Sequence, residues 1–228
     1  MEFEREQAMA VMEAPVRRPD KDRTVEVFVF RHGSRQQIDG RGYTCWSPDS
    51  SITLKGEEQM KAVVARNPGL KECTVFAASP LPRAVQSLCV MMLELGHPPQ
   101  RLDEIIYENG LKSLYPSAWY NEDPNVTVRQ QWFKEPELVE QDGAAIFRAI
   151  QSIAMTVSCR DNTGALCISH GGPLDAAVAF ARKSDLSLAV FDKGAFSKIR
   201  DFRTGEGVVF TFNRDNRLVG IEELRLPS

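Results

Sequence analysis

Cysteine pairs at metal-binding spacing are missing from this sequence, and so are long apolar runs and an excess of either charge. The five cysteines (Cys45, Cys73, Cys89, Cys159 and Cys167) are odd in number, scattered, and form no C-x-x-C pair. That pattern speaks against a zinc site and against a disulfide framework, and it makes a reducing compartment, the cytosol, the expectation. No stretch reaches the length of a membrane span, and the opening MEFEREQAMAVMEAPVRRPDKDR lacks the apolar centre of a signal peptide. With 28 basic against 31 acidic residues, the net charge of −3 offers no general basic face for nucleic acid. A few arginines can still converge locally while the total stays acidic. Histidine is scarce too, with three in 228 residues.

What is present is an ordinary globular composition, 43% hydrophobic and 26% charged, with enough apolar surface for one large domain. Residues 1–23 read as an arm of mixed charge with Pro15 and Pro19, in which residues 6–13 are a candidate short helix. Residues 24–228 read as a single domain. VEVFVF (25–30) is apolar on both faces, as in a strand buried within a parallel sheet. Residues 36–53 are polar loop, and LKGEEQMKAVVAR (54–66) has helical spacing closed by Asn67-Pro68-Gly69. CTVFAAS (73–79) is a second strand, and Pro82 opens a helix that runs to Gly96.

A short third strand is expected at EIIYE (104–108). Residues 113–140, with prolines and two tryptophans, break the pattern and are expected to be an insertion. A helix over 144–157, a strand at GALCIS (164–169), a helix from GGPLDAAVAFARK and a closing hairpin over 207–225 complete the chain. Strands alternating with helices predict a three-layer α/β/α sandwich with a mainly parallel central sheet. In such folds ligands gather beyond the carboxyl ends of the strands. Those ends carry Arg31-His32-Gly33, Ser79-Pro80 and Ser169-His170-Gly171.

Two of the three histidines therefore share one context, a buried strand before and a glycine after, for which packing supplies no reason. His97, in LGHPP, shares none of it and reads as a surface or packing residue. Arg31 adjoins the first histidine. Arg83 lies at the start of its helix, where a cation opposes the helix dipole unless an anion sits between them. Read alone, Arg83 is equally a solvated surface residue. Together, two histidines, two or three arginines and helix N-termini suit a phosphoryl group. Guanidinium forks match its oxygens and stay charged, and neighbouring cations keep an imidazole neutral and nucleophilic.

Four islands carry a resemblance to a known family: FRHGSR (30–35), SITLKGEEQ (51–59), SPLPRAVQS (79–87) and ISHGGP (168–173). In this order and at these boundaries the chain resembles the histidine phosphatase superfamily, also called phosphoglycerate-mutase-like, over most of residues 25–225. The resemblance implies that His32 attacks phosphorus and becomes a phosphohistidine. It implies that Arg31, Arg83 and His170 hold the transferring oxygens, with the Gly171 N–H as a further donor. Arg35 stands where many relatives have threonine or serine; it is either a substrate contact or an exposed loop charge. The family's proton donor best matches Glu108, with Asp103, Glu104 and Asp175 as rivals.

The mutase signatures of that family are absent around Ser34-Arg35-Gln36-Gln37 and Tyr107-Glu108-Asn109-Gly110. A metal-independent phosphomonoesterase of the histidine acid phosphatase type is thus the expected activity, on a phosphorylated small molecule or phosphoprotein. A phosphoglycerate-type mutase and a non-catalytic phospho-ligand or partner-binding protein are the alternatives. No cofactor and no metal are expected, and a homodimer is left open. Tyr115, Trp119, Tyr120, Trp132 and Phe133 of the insertion either wall the pocket or pack the insertion onto the domain.

Overall fold

The computed structural model describes residues 23–35, 50–113, 136–160, 164–184 and 202–226. The expected N-terminal arm, the body of the 113–140 insertion and its five aromatic residues lie outside the described residues. Six strands form one sheet: β1 (Val25–Arg31), β2 (Cys73–Ala78), β3 (Ile106–Tyr107), β4 (Gly164–Ser169), β5 (Gly207–Phe212) and β6 (Leu218–Leu224). Their spatial order is β3-β2-β4-β1-β5-β6. The β3–β2, β2–β4 and β4–β1 pairs are parallel, whereas β5 and β6 join as an antiparallel hairpin on the far edge.

Alternation along β1 shows why the apolar run is needed. Val25, Val27 and Val29 point into one apolar layer, and Phe28 and Phe30 point into the other. The first layer is closed by α3 (Pro136–Cys159) and α4 (Gly171–Ser184), and the second by α1 (Leu54–Arg66) and α2 (Pro82–Glu94). Past the exposed Glu26, the strand is covered on both faces and has no polar side to show, so 27–30 read as continuous hydrophobe. Phe30 is fully buried, and its truncation to alanine would cost about 3–5 kcal/mol.

Two expected boundaries need correction. The helix after the insertion begins at Pro136 rather than residue 144. Proline suits that first turn, and Val139 and Asp142 of the added turns are buried. The charged PELVEQDG stretch hid this start, because Gly143 and four acidic or amide side chains interrupt the apolar spacing. The third strand spans two residues, since 99–104 coil into a 3₁₀ turn before it. By contrast α1 keeps the expected bounds, set by Thr53 at the N-cap and Asn67 at the C-cap. No helix among the described residues is long and apolar enough to cross a membrane.

Candidate active site

Register builds the site. In the parallel β1–β4 pair Arg31 lies opposite Ser169, so His32 and His170 each follow one step beyond a matched pair. The His32 N–H donates to the Ser169 carbonyl at 3.1 Å, continuing the ladder past the strand end. Adjacent parallel strands lie about 4.8 Å apart, and the two imidazole centroids come within 5.2 Å in an edge-to-face arrangement. Ala78 of β2 pairs with Ile168 on one side and Tyr107 on the other. Ser79 and Glu108 therefore emerge at the same end of the sheet.

The Arg-His-Gly loop is clamped by the first turn of α1. The Thr53 hydroxyl accepts from Gly56 N–H at 3.1 Å and donates to the Ser34 carbonyl at 3.2 Å. Gln59 Oε1 accepts from the Ser34 N–H at 2.9 Å. Loop and helix touch at backbone level: a Cβ on Gly33 would sit 2.5 Å from the Gly56 oxygen, closer than any side chain tolerates. On the other flank, the Ser87 hydroxyl accepts from Gly33 N–H at 3.1 Å and donates to the Arg83 carbonyl at 2.7 Å. These bonds explain the second and third sequence islands as supports for the first.

Two neighbours settle the tautomer of His32. Its Nδ1 lies 2.7 Å from the Gly33 carbonyl, an oxygen that can only accept, so Nδ1 carries the proton. Arg83 Nε–H, which can only donate, points at His32 Nε2 from 3.3 Å. Nε2 therefore holds a lone pair. Burial, opposed by the Gly33 hydrogen bond and assisted by Arg83, Arg31 and Arg35, pushes the pKa of His32 down to about 3. The ring is 5% exposed and Arg83 is 3% exposed. Sequence reading left open a solvated Arg83; the structure buries it.

His170 is equally held. Its Nε2 lies 2.8 Å from the Ser79 hydroxyl, which itself accepts from Leu81 N–H at 3.4 Å. Where that hydroxyl donates its hydrogen to Nε2, the ring proton sits on Nδ1. Nδ1 is buried and has no hydrogen-bond partner among the described residues. Burial, followed by His32, Arg83, Arg31 and Arg35, holds the pKa of His170 well below its ordinary value. Helix α2 opens at Leu81 without a side-chain cap, and the Ala84 and Val85 N–H groups turn back onto the Leu81 carbonyl at 2.8 and 3.2 Å.

Arg31 donates from Nη1 to the Phe202 carbonyl at 2.6 Å. Its guanidinium lies flat on Gly171, where a Cβ would come 2.8 Å from Nη1 and 2.9 Å from Cζ. A side chain at Gly171 would thus displace the guanidinium of the arginine before His32. Arg35 bridges to Ile52, lies 3.5 Å from the Ser50 hydroxyl, and bears on the titration of both histidines.

Glu108 stands half-buried at the end of β3, with Oε1 accepting from Gly110 N–H at 2.7 Å and its own N–H on the Ala78 carbonyl at 2.9 Å. Of its rivals, Asp103 and Glu104 precede β3 and are exposed, and Glu104 pairs with Arg101 at 2.9 Å. Asp175 is buried in α4 and accepts from Phe202 N–H at 3.0 Å. Position at the carboxyl end of the sheet favours Glu108 among the four. No His, Cys, Asp and Glu group able to hold a metal occurs among the described residues.

The sequence puts Ser79 and Ser169 at strand ends but assigns no role to them or to Ser87. Ser169 donates to the Leu111 carbonyl at 2.7 Å, pinning the turn after Glu108 to the strand that bears His170. The i, i+4 spacing of Arg83 and Ser87 was the one signal that could have exposed such a bond.

The sequence matches the histidine phosphatase superfamily (branch 1) over residues 27–209, and the chain belongs to that superfamily. No curated protein matches it. Among solved structures, a phosphoglycerate mutase from Bacillus anthracis str. Sterne is 14% identical, with a TM-score of 0.56 over 90% of this chain and 95% of that one. A mycobacterial glucosyl-3-phosphoglycerate phosphatase in complex with VO3 is 14% identical, with a TM-score of 0.54 over 82% and 92%. The protein histidine phosphatase SixA, complexed with tungstate, is 14% identical, with a TM-score of 0.51 over 87% and 97%. At these identities the likeness is one of fold.

Proposed function

We propose that this chain is a phosphomonoester hydrolase working through a phosphohistidine on His32. The observation that carries the reading is the tautomer of His32: Nδ1–H on the Gly33 carbonyl and a bare Nε2 facing Arg83. A neutral ring with its lone pair directed into a ring of cations is the form a nitrogen nucleophile requires.

In the first step the Nε2 lone pair attacks phosphorus and the bond to the leaving oxygen breaks. Glu108, protonated, gives its proton to that oxygen. Arg31, Arg83, the Nδ1–H of His170 and the Gly171 N–H take the three remaining phosphoryl oxygens, with Arg35 at the rim. The Gly33 carbonyl, accepting from Nδ1–H, stabilises the positive charge that develops on the phosphorylated ring. In the second step water attacks phosphorus, the Glu108 carboxylate receives its proton, and the N–P bond returns its electron pair to Nε2. Fixed charges of this kind are worth about 3–4 kcal/mol per donor in the transition state.

Turnover of p-nitrophenyl phosphate tests the reading. Wild type should hydrolyse it, and brief exposure to a labelled phosphomonoester followed by quenching should leave acid-labile label on the protein. His32→Ala should show neither while keeping its fold by circular dichroism. A wild type without turnover on any phosphomonoester would leave a phosphate binder. Exchange between phosphoglycerate isomers outpacing release of phosphate would mark a mutase.

A further inference from the structure

The 202–206 turn has no place in the chemistry above, yet two of its carbonyls hold Arg31. Phe202 accepts from the Arg31 side chain at 2.6 Å, and Glu206 accepts from the Arg31 N–H at 2.9 Å. The turn is braced from two sides. On one, Asp175 in α4, 2% exposed, accepts from Phe202 N–H at 3.0 Å. On the other, the Arg225 guanidinium stacks 3.7 Å from the centroid of the buried Phe202 ring, while Glu206 ties Arg225 to Arg203 N–H and Leu226 N–H.

We propose that Asp175 is a positioning residue for Arg31, acting through the backbone of Phe202. Helix α4 starts directly after His170, so a carboxylate on it shares the frame of the second histidine. By fixing the N–H of Phe202, Asp175 fixes the whole residue whose carbonyl aims the guanidinium. The aim matters because the Arg31 guanidinium is the movable end of a long side chain, seated where a Cβ on Gly171 would fall. Loss of the Asp175 acceptor frees Phe202 to tilt, and Arg31 then has no single direction. The role rests on the phosphatase reading above, but it concerns where Arg31 points rather than what His32 does.

A double-mutant cycle tests it, with kcat/KM for p-nitrophenyl phosphate measured on wild type, Asp175→Ala, Arg31→Ala and the double variant. Asp175→Ala should lower kcat/KM about 10- to 100-fold, the loss expected for one charge-assisted hydrogen bond. In the Arg31→Ala background the same change should cost less than about twofold. Asp175→Asn keeps an oxygen toward Phe202 N–H and should recover most of the activity. Equal losses in both backgrounds, no loss in wild type, or no recovery with asparagine would overturn the proposal.

If Asp175→Ala fails to fold, Asp175→Ser, whose oxygen stops short of Phe202 N–H, enters the same cycle. A wild type that binds orthovanadate without turning over substrate would refute the hydrolase reading alone, and the cycle is then read in vanadate dissociation constants. A wild type that neither binds nor turns over removes both proposals.

Discussion

Two regions of this protein place a histidine beside an arginine, and the contrast between them defines the site. At the carboxyl end of the sheet, Arg83 Nε lies 3.3 Å from His32 Nε2. Beside the 3₁₀ turn after α2, Arg101 Nη1 lies 3.2 Å from His97 Nδ1. The distances are alike and the surroundings are not. Arg101 also grips Glu104 and covers the Phe76 ring, against whose edge His97 packs at 4.8 Å. The charges acting on His97 are one positive and one negative, and its pKa is lowered by burial, then by Arg101 against Glu104. Around His32 the charges named are Arg83, Arg31 and Arg35, all positive. A neutralised pair staples a turn to the core. A field of one sign, closed around two neutral rings, is what the proposed phosphoryl site requires.

The comparison can be broken by mutation. The largest difference is expected between the histidines: His32→Ala should lower kcat/KM on p-nitrophenyl phosphate by at least about 10⁴-fold, and His97→Ala by less than about threefold. Next come the arginines. Arg83→Ala should cost about 10²- to 10³-fold in kcat, while Arg101→Ala should leave turnover intact and cost at most about 1 kcal/mol of stability in urea unfolding.

Glu108→Gln sharpens the account further, because its effect should depend on the leaving group. On an alkyl phosphomonoester, whose alcohol needs a proton to depart, about 10²-fold or more should be lost. On p-nitrophenyl phosphate, which leaves as a stabilised phenolate, the loss in kcat/KM, which does not include hydrolysis of the phosphohistidine, should be far smaller. Equal losses on both substrates would remove Glu108 from the acid's role.

A separate effect concerns stability. His32 has its pKa lowered to about 3 in the folded chain, chiefly by burial, against an ordinary value of about 6.5 when unfolded. The unfolded chain therefore takes up a proton first as pH falls. Stability should be lost from about pH 6.5 downward, at up to about 1.4 kcal/mol per pH unit for this residue, levelling near pH 3. His32→Asn should reduce the slope of the urea-unfolding profile across that window, leaving the share that His170 contributes, and an unchanged slope would contradict the burial of a neutral ring.

How much of this was legible in the sequence follows from what each residue depends on. His32 and His170 were readable because each depends on its own strand and its own glycine, and parallel pairing does the rest. Arg83 was readable through the conflict with its helix dipole. Arg35 was not resolved, because its meaning depends on what faces it across the 50–52 segment. Ser79, Ser87 and Ser169 were silent because a serine hydroxyl gains its role from a partner 50 to 90 positions away, as Ser79 does from His170 and Ser87 from Gly33. Asp175, weighed as a rival acid, has a backbone partner that no sequence spacing reveals: only the folded chain brings Phe202 to it. The first turns of α3 were hidden by their charge, since Pro136 marks a helix start only once Val139 is known to face the core.

The central claim is that His32 and His170, with Arg31 and Arg83, enclose one tetrahedral anion. A crystal structure of wild type soaked with orthovanadate tests it most directly. The account predicts vanadium bonded to His32 Nε2, with oxygens held by both guanidinium groups and by His170 Nδ1. Vanadate bound elsewhere, or bound here with His32 Nε2 turned away from the metal, would contradict it.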